Sequence, residues 1–408
     1  MSDKALSNLR ILDLSRILAG PWCTQNLADL GAEVIKVERP VVGDDTRVWG
    51  PPWLKNKDGS QSEDSSYYSA ANRGKKSLTI DFTKEEGQKL LHELVKSSDI
   101  FIENFKVGNL KKYRLDYESI KQINPEIIYC SITGFGQDGP YAHRPGYDFV
   151  FQGMGGMMSV TGERDDAEGG GPQKVGIALA DIMTGMYSTI AILAAVNHKH
   201  LTGKGQYIDM ALLDCIVALG SNQITSYFSS GNVPQRMGNA HMSLVPYGVY
   251  PTKDGHIIIA VGNDEQWLRY CDVMERPDLR EDGQYRKVTG RIVNRNTLDV
   301  ELKKTMKTRA TDEWLQALEA NGVPCGPIND YQQVFADPQV QHRKLRVDLE
   351  RDDGAMASAA ASPLRLTGTP PQYDLAPPAI GQHTDEILQS VLGASAEYIS
   401  RLRAGQII

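Results

Sequence analysis

The chain has 408 residues, 41% hydrophobic and 23% charged, the make-up of an ordinary globular protein with length for two or three domains. Lys and Arg number 44 against 51 Asp and Glu, and the net charge of −7 argues against a general nucleic-acid binder. Five scattered cysteines with no C-x-x-C pair suggest neither a disulfide framework nor a zinc site, and point to a reducing, cytoplasmic setting.

The first third alternates strands and helices. RILDL (Arg10–Leu14) predicts a strand, and PWCTQNLADLGA a helix with Pro21 at its start and Gly31 at its stop. EVIKVE (Glu33–Glu38) and SLTIDF (Ser77–Phe82) predict further strands, followed by the amphipathic KEEGQKLLHELVKSSD and the strand IFIEN. A helix near Tyr117–Gln122, a stop at Asn124-Pro125 and the strand IIYCSI complete the pattern. Such βαβ alternation predicts a parallel, doubly wound sheet with its ligand at the strands' carboxyl ends. Tyr141 to Pro172 is glycine-rich and reads as irregular. A long apolar helix follows Asp181 to about Leu201, and its uncharged run, Ile182 to His198, is too short and polar for a membrane span. QYIDMALLDCIVAL then predicts a strand and a helix. A new unit begins near Asn232, with two strands around the Lys253-Asp254-Gly255 turn and helices up to Asn321–Ile328. TGTPPQYDLAPPAIG reads as an extended surface linker and TDEILQSVLG as a short helix. The amino-terminal MSDKALSNLR has no apolar run of the secretory kind.

Few motifs carry chemistry. Glu38 ends the second strand, where Rossmann folds hold a ribose, but SRILAGPW has one glycine where G-x-G-x-x-G is needed. NRGKKS (Asn72–Ser77), LKKYR (Leu110–Arg114) and Arg39 are cations that together could serve a ligand with several phosphates; singly they read as solvated faces. His198 and His200, two apart, lie on different helix faces and suit a helix carboxyl end better than a metal. Asp181 is the single charge in VGIALADIMTGMY beyond its flanks. It could be the N-cap of the following helix. It could equally be a carboxylate nucleophile, kept ionised by the helix dipole in a poorly solvated site, with Gly185 allowing close approach.

The ordered blocks ILDLSRILAGPWCTQNLADLGAEVIKVERP, NRGKKSLTIDF, FIENFKVGNL, GYDFVFQGMGG, ALADIMTGMYSTIAILAA, LTGKGQYIDMALLD, GVPCGPI and GQHTDEIL resemble the class III CoA-transferases over nearly the whole chain. This resemblance implies a doubly wound, Rossmann-like large domain, a smaller α/β domain and an interlocked homodimer. It places the large domain in residues 1–230, the small domain in 231–327, and a linker and returning segment in 328–408. It implies coenzyme A as carrier, acyl-CoA and carboxylic acid substrates, no metal, no nucleic acid and no membrane. By position it makes Asp181 the nucleophile, and Leu18, Ala19, Arg39, Ile80, Asp81, Phe82, Thr83, Asn104, Phe105, Lys112, Tyr147 and Asp148 the CoA contacts.

Two departures bear on the activity. GNAHMSLVPYG (Gly238–Gly248) stands where formyl-CoA transferase has a run of glycines, so His241 and Ser243 become alternatives for touching substrate. Tyr147 stands where the related racemase has a catalytic His, and a phenol with an ordinary pKa near 10 is a poor proton shuttle. CoA transfer from succinyl-CoA to a dicarboxylate is the first reading. A 2-methylacyl-CoA racemase and a non-catalytic CoA-ester-binding protein are the alternatives.

Overall fold

Apolar runs between Arg10 and Ala211 become strands, most of them buried on both faces. The computed structural model describes residues 4–408. The strands are β1 (Arg10–Asp13), β2 (Glu33–Glu38), β3 (Lys75–Thr79), β4 (Ile100–Glu103), β5 (Ile128–Thr133) and β6 (Tyr207–Ala211). They pair in parallel in the order β3-β2-β1-β4-β5-β6. Residues alternate between two cores, as strand geometry requires. Ile11, Val34, Ile100 and Ile128 join one core, with Leu27 and Ile192. Leu12, Ile35, Phe101 and Tyr129 join the other.

The first core is covered by α1 (Ala19–Asp29), α4 (Asp148–Met154), α5 (Leu179–Thr202) and α6 (Leu212–Leu219). The second is covered by α2 (Glu85–Lys96), α3 (Tyr117–Ile123) and two carboxyl-terminal helices, α7 (Thr384–Leu392) and α8 (Ala396–Ala404). The strand order reverses between β1 and β4. In open parallel sheets the loops leaving the strands diverge at that point and leave a crevice for ligand.

Some elements differ from the sequence reading. β3 begins at Lys75, ahead of the expected Ser77, because Lys75 is already in register with Val34 of β2; its buried ammonium reaches Asp13 at the end of β1. The glycine-rich 141–172 stretch, expected to be irregular, contains α4 and a helical turn at Met157–Val160. A four-stranded antiparallel sheet of Trp53–Asn56, Gln61–Ser65, Arg346–Glu350 and Ala355–Ala360 was not foreseen. Its strands QSEDS and RVDLE are too polar to announce themselves by periodicity. By length and composition the 24-residue α5 could cross a membrane, yet Ala180, Thr184, Ser188, Ile192 and Ala195 are packed inside the fold.

The chain divides into two compact units. One comprises Met1–Met157, Val175–Thr225 and Gln341–Ile408, and holds both sheets above. The other comprises Met158–Lys174 and Ser226–Val340. This second unit has the antiparallel sheet Tyr247–Pro251, His256–Ala260 and Cys325–Pro327, with helices around Trp267, Leu302 and Trp314.

Candidate active site

The loop after β1 is held in a conformation its residues disfavour. Ile17 has φ +73°, in the left-handed region that β-branched residues avoid. Asn104, just after β4, grips the preceding residue twice: Oδ1 accepts from Arg16 N–H at 2.9 Å, and Nδ2 donates to Arg16 O at 2.7 Å. Asp44 accepts from Ile17 N–H at 3.3 Å. Lys36, fully buried on β2, ties Asp44 (2.8 Å) to Ser15 O (3.0 Å). Glu103 accepts Phe105 N–H at 2.7 Å and so fixes the turn carrying Asn104 and Phe105. These bonds set two loops on either side of the switch point.

Between them lies a cleft of about 460 Å³ whose wall includes Leu18, Ala19, Asn104, Phe105, Tyr147 and Asp181. A second cavity of about 250 Å³ includes Arg39, Phe82 and Thr83, and shares Arg16, Phe105 and Asn109 with the first. Nine of the thirteen residues predicted by resemblance therefore line one connected pair of cavities. The other four are placed differently. The Ile80 side chain is in the core, and its N–H is bonded to Glu38 O. The Asp81 carboxylate turns back on Thr83 N–H and Oγ1. Lys112 lies over the Tyr113 ring, and Tyr113 in turn lines the second cavity. Asp148 spends its carboxylate on the start of α5. Arg16, Lys106, His143 and Arg144 line the cleft and were not among the sequence candidates. Arg16 follows a strand end just as Arg39 does, and that position is the signal that could have found it. His143 and Arg144 carry no local pattern.

The cations of NRGKKS are engaged on groups of the protein itself. Arg73 makes a bidentate pair with Asp29 at 2.8 and 2.6 Å, and Lys75 Nζ bonds Asp13, Pro21 O and Asn72. Arg73 and Lys75 are buried and their charges are neutralised internally, and the less buried Lys76 pairs with Glu33 at 3.3 Å and Glu386 at 2.8 Å. Glu38 is likewise engaged inside the fold, on Arg47 and Ser77, and so is not free to hold a ribose.

Asp181 is the third residue of α5, so it is not the N-cap; that position is Ala178. Desolvation, and after it the Asp148 carboxylate, push Asp181 up to about 7. The helix dipole favours the anion, but burial and the like charge outweigh it. The group is thus a carboxylate of raised basicity facing the cleft.

Gly185, one turn on, admits a helix and not a ligand. A Cβ there would lie 2.7 Å from Ala19 O and 3.0 Å from Trp22 Cδ1. Since Ala19 lines the cleft, Gly185→Ala is expected to destabilise the protein by about 1–3 kcal/mol and to lower turnover. Thermal unfolding and an activity assay on the same preparation check this; an unchanged melting temperature would refute the close packing.

In the second unit, His241 Nδ1 accepts from Ser243 N–H at 3.0 Å, and Arg295 donates to the His241 and Met242 carbonyls. The loop in place of the glycine run is therefore an anchored one.

The chain matches the family model "CoA-transferase family III" over residues 6–384. It is 48% identical to a succinate–glutarate CoA-transferase of Agrobacterium fabrum, over 94% of both chains. It is 40% identical to the succinyl-CoA:glutarate CoA-transferase of Homo sapiens, over 99% of this chain and 90% of that one. A crystal structure of a CAIB/BAIF family protein from Brucella suis matches with TM-score 0.85 and 46% identity, covering 96% of this chain and all of the other.

Proposed function

This chain belongs to CoA-transferase family III, and with that as premise we propose that it carries CoA from succinyl-CoA to a small dicarboxylate such as glutarate through covalent intermediates on Asp181. The observation that carries this reading is a single raised carboxylate in the wall of the cleft at the sheet's switch point. Asp181 attacks the thioester carbonyl, the C–S bond breaks, and CoA thiolate leaves a mixed anhydride. The thiolate attacks the aspartyl carbonyl and releases succinate, leaving an aspartyl-CoA thioester. The acceptor carboxylate displaces the thiolate to form a second anhydride. The thiolate then attacks the acceptor's acyl carbon, and Asp181 is restored.

Each stage trades a thiolate and a carboxylate on an acyl carbon, and overall one carboxylate is exchanged for another, so the thioester's energy is retained. Splitting the exchange into acyl transfers replaces one difficult step by easier ones. Apolar surroundings suit the anhydrides, which water would destroy. Leu18 is the N-cap residue and Ala19 the first residue of α1, which no side chain caps; free N–H groups at such a helix start suit an oxyanion. Arg16 and Arg39 suit the carrier's phosphates.

A homodimer is part of the proposal. Phe149 and Val150 of α4 and Ile190 of α5 are exposed in the single chain, and apolar side chains on packed helices favour a protein partner. The cytoplasmic setting is supported by five free cysteines.

The test is a mass-spectrometric panel of acyl-CoA donors against carboxylate acceptors, with light scattering on the same sample. Succinyl-CoA with glutarate is expected to give glutaryl-CoA at the highest rate, from a particle of twice the chain mass. Transfer confined to monocarboxylates would overturn the dicarboxylate reading.

A further inference from the structure

The start of α5 is capped from another helix. Ala178, ahead of it, offers no capping side chain. Asp148, on α4, supplies the acceptor instead: Oδ1 takes the N–H of Ala180 at 2.6 Å and lies 3.4 Å from Asp181 N. Its Oδ2 accepts from Gln152 Nε2 at 2.7 Å. Gln152, one turn along α4 and fully buried, accepts Val175 N–H at 2.9 Å and reaches Ile177 O at 3.3 Å. Together the two side chains hold the backbone from Val175 to Asp181. The resemblance had made Asp148 a CoA contact, but its two oxygens are engaged on the protein.

We propose that Asp148 is a positioning residue for the transfer reaction: its carboxylate fixes the turn that aims Asp181 and keeps a second negative charge beside it. The inference rests on Asp181 being the nucleophile. A more basic carboxylate attacks a thioester faster, and misplacement of a reacting group by an ångström is costly. Both effects depend on the same side chain, so the cap and the charge are one device.

The other ionisable groups on elements packed against α5 are engaged elsewhere. Asp29 on α1 is closed on Arg73, and Asp209 on β6 accepts Gln137 N–H. Asp214 on α6 bears on Cys215. Cys23 and Cys130 are buried thiols pushed above their ordinary range. Tyr67 does feel Asp181 and Asp148, and their charges, after burial, raise its phenol. Arg16, Lys106, His143, Arg144 and Tyr147 share the cleft wall.

The experiment compares Asp148→Asn and Asp148→Ser with the wild type, full length, by pH profiles of kcat and kcat/KM. Serine keeps a capping oxygen without the charge, so it stands in if asparagine meets Gln152 badly. The acid limb of kcat/KM is expected to move down by about half to one pH unit in both variants. Plateau kcat is expected to fall about tenfold or more, with KM for the acyl-CoA within about threefold. A lowered melting temperature with the acid limb and kcat unchanged would make Asp148 merely structural and end the proposal. Asp181→Ala is assayed alongside. Activity surviving there removes the nucleophile assignment, whereas loss there with unchanged Asp148 variants removes the positioning role alone.

Discussion

Replacing Asp181 by Ala or Asn is expected to lower kcat by a factor on the order of 10⁴ or more, as loss of a covalent nucleophile does. Binding of the CoA ester is expected to persist, because the cleft walls after β1 and β4 are untouched. Trapping the wild-type intermediate with hydroxylamine is expected to mark Asp181 in the peptide map, and transfer at the wild-type rate in Asp181→Ala would sink the covalent mechanism. In the wild type, kcat/KM should fall about tenfold per pH unit below the value of about 7 to which Asp181 is pushed.

The same carboxyl makes a prediction about stability. Its folded pKa lies above the ordinary value of 3.8. Its contribution is therefore fully present below that ordinary value and is lost as pH rises through about 7. Asp181→Asn should then be more stable than the wild type at pH 8, by roughly 2 kcal/mol after allowance for the open cleft beside it. At pH 4 the two should differ little. Equal unfolding midpoints in urea at both pH values would contradict the burial of Asp181. A gain in stability with loss of turnover would mark a group kept in an unfavourable place for its chemistry.

The second large effect is expected at Arg47. Its guanidinium makes a bidentate pair with Glu38 at 2.9 and 2.8 Å and reaches both oxygens of Asp64 at 3.0 Å. It also donates to Pro378 O at 3.2 Å and to Tyr68 Oη at 2.7 Å. Arg351, on the returning carboxyl-terminal segment, meets the same Asp64 at 2.6 Å. Arg47, Glu38, Asp64 and Arg351 are all buried. Arg47→Met leaves two buried carboxylates short of a cation and is expected to cost about 3–5 kcal/mol. Arg47→Lys is expected to recover only part of this, since a point charge cannot serve two carboxylates with paired bonds. Urea unfolding of the three proteins checks it. A loss below about 1 kcal/mol for Arg47→Met would mean that Arg351 alone neutralises the cluster.

Much of the large sheet was legible because most of its strands are short, buried on both faces and separated by amphipathic helices. EVIKVE became β2 residue for residue, and IFIEN became β4 with one residue fewer. The antiparallel sheet that joins Trp53–Asn56 to Ala355–Ala360 was not legible. Its pairing spans some 300 residues, and no local pattern records a partner so far away. The cations in NRGKKS were misjudged for a related reason: in sequence a run of basic residues has no partners, and only the fold brings Asp13 to Lys75 and Asp29 to Arg73.

What the sequence by itself determined is the class of fold and the family, and it singled out Asp181 as the candidate nucleophile. Those follow from periodicity and from ordered blocks, both of which are local. What only the tertiary structure decided is the state of that residue. Local reasoning offered Asp181 as a cap ionised by a helix dipole. The packed chain caps the helix with Asp148 instead, desolvates Asp181 and sets the two carboxylates side by side. Burial and like charge are sums over neighbours from distant parts of the chain, so they exist only once the chain has folded.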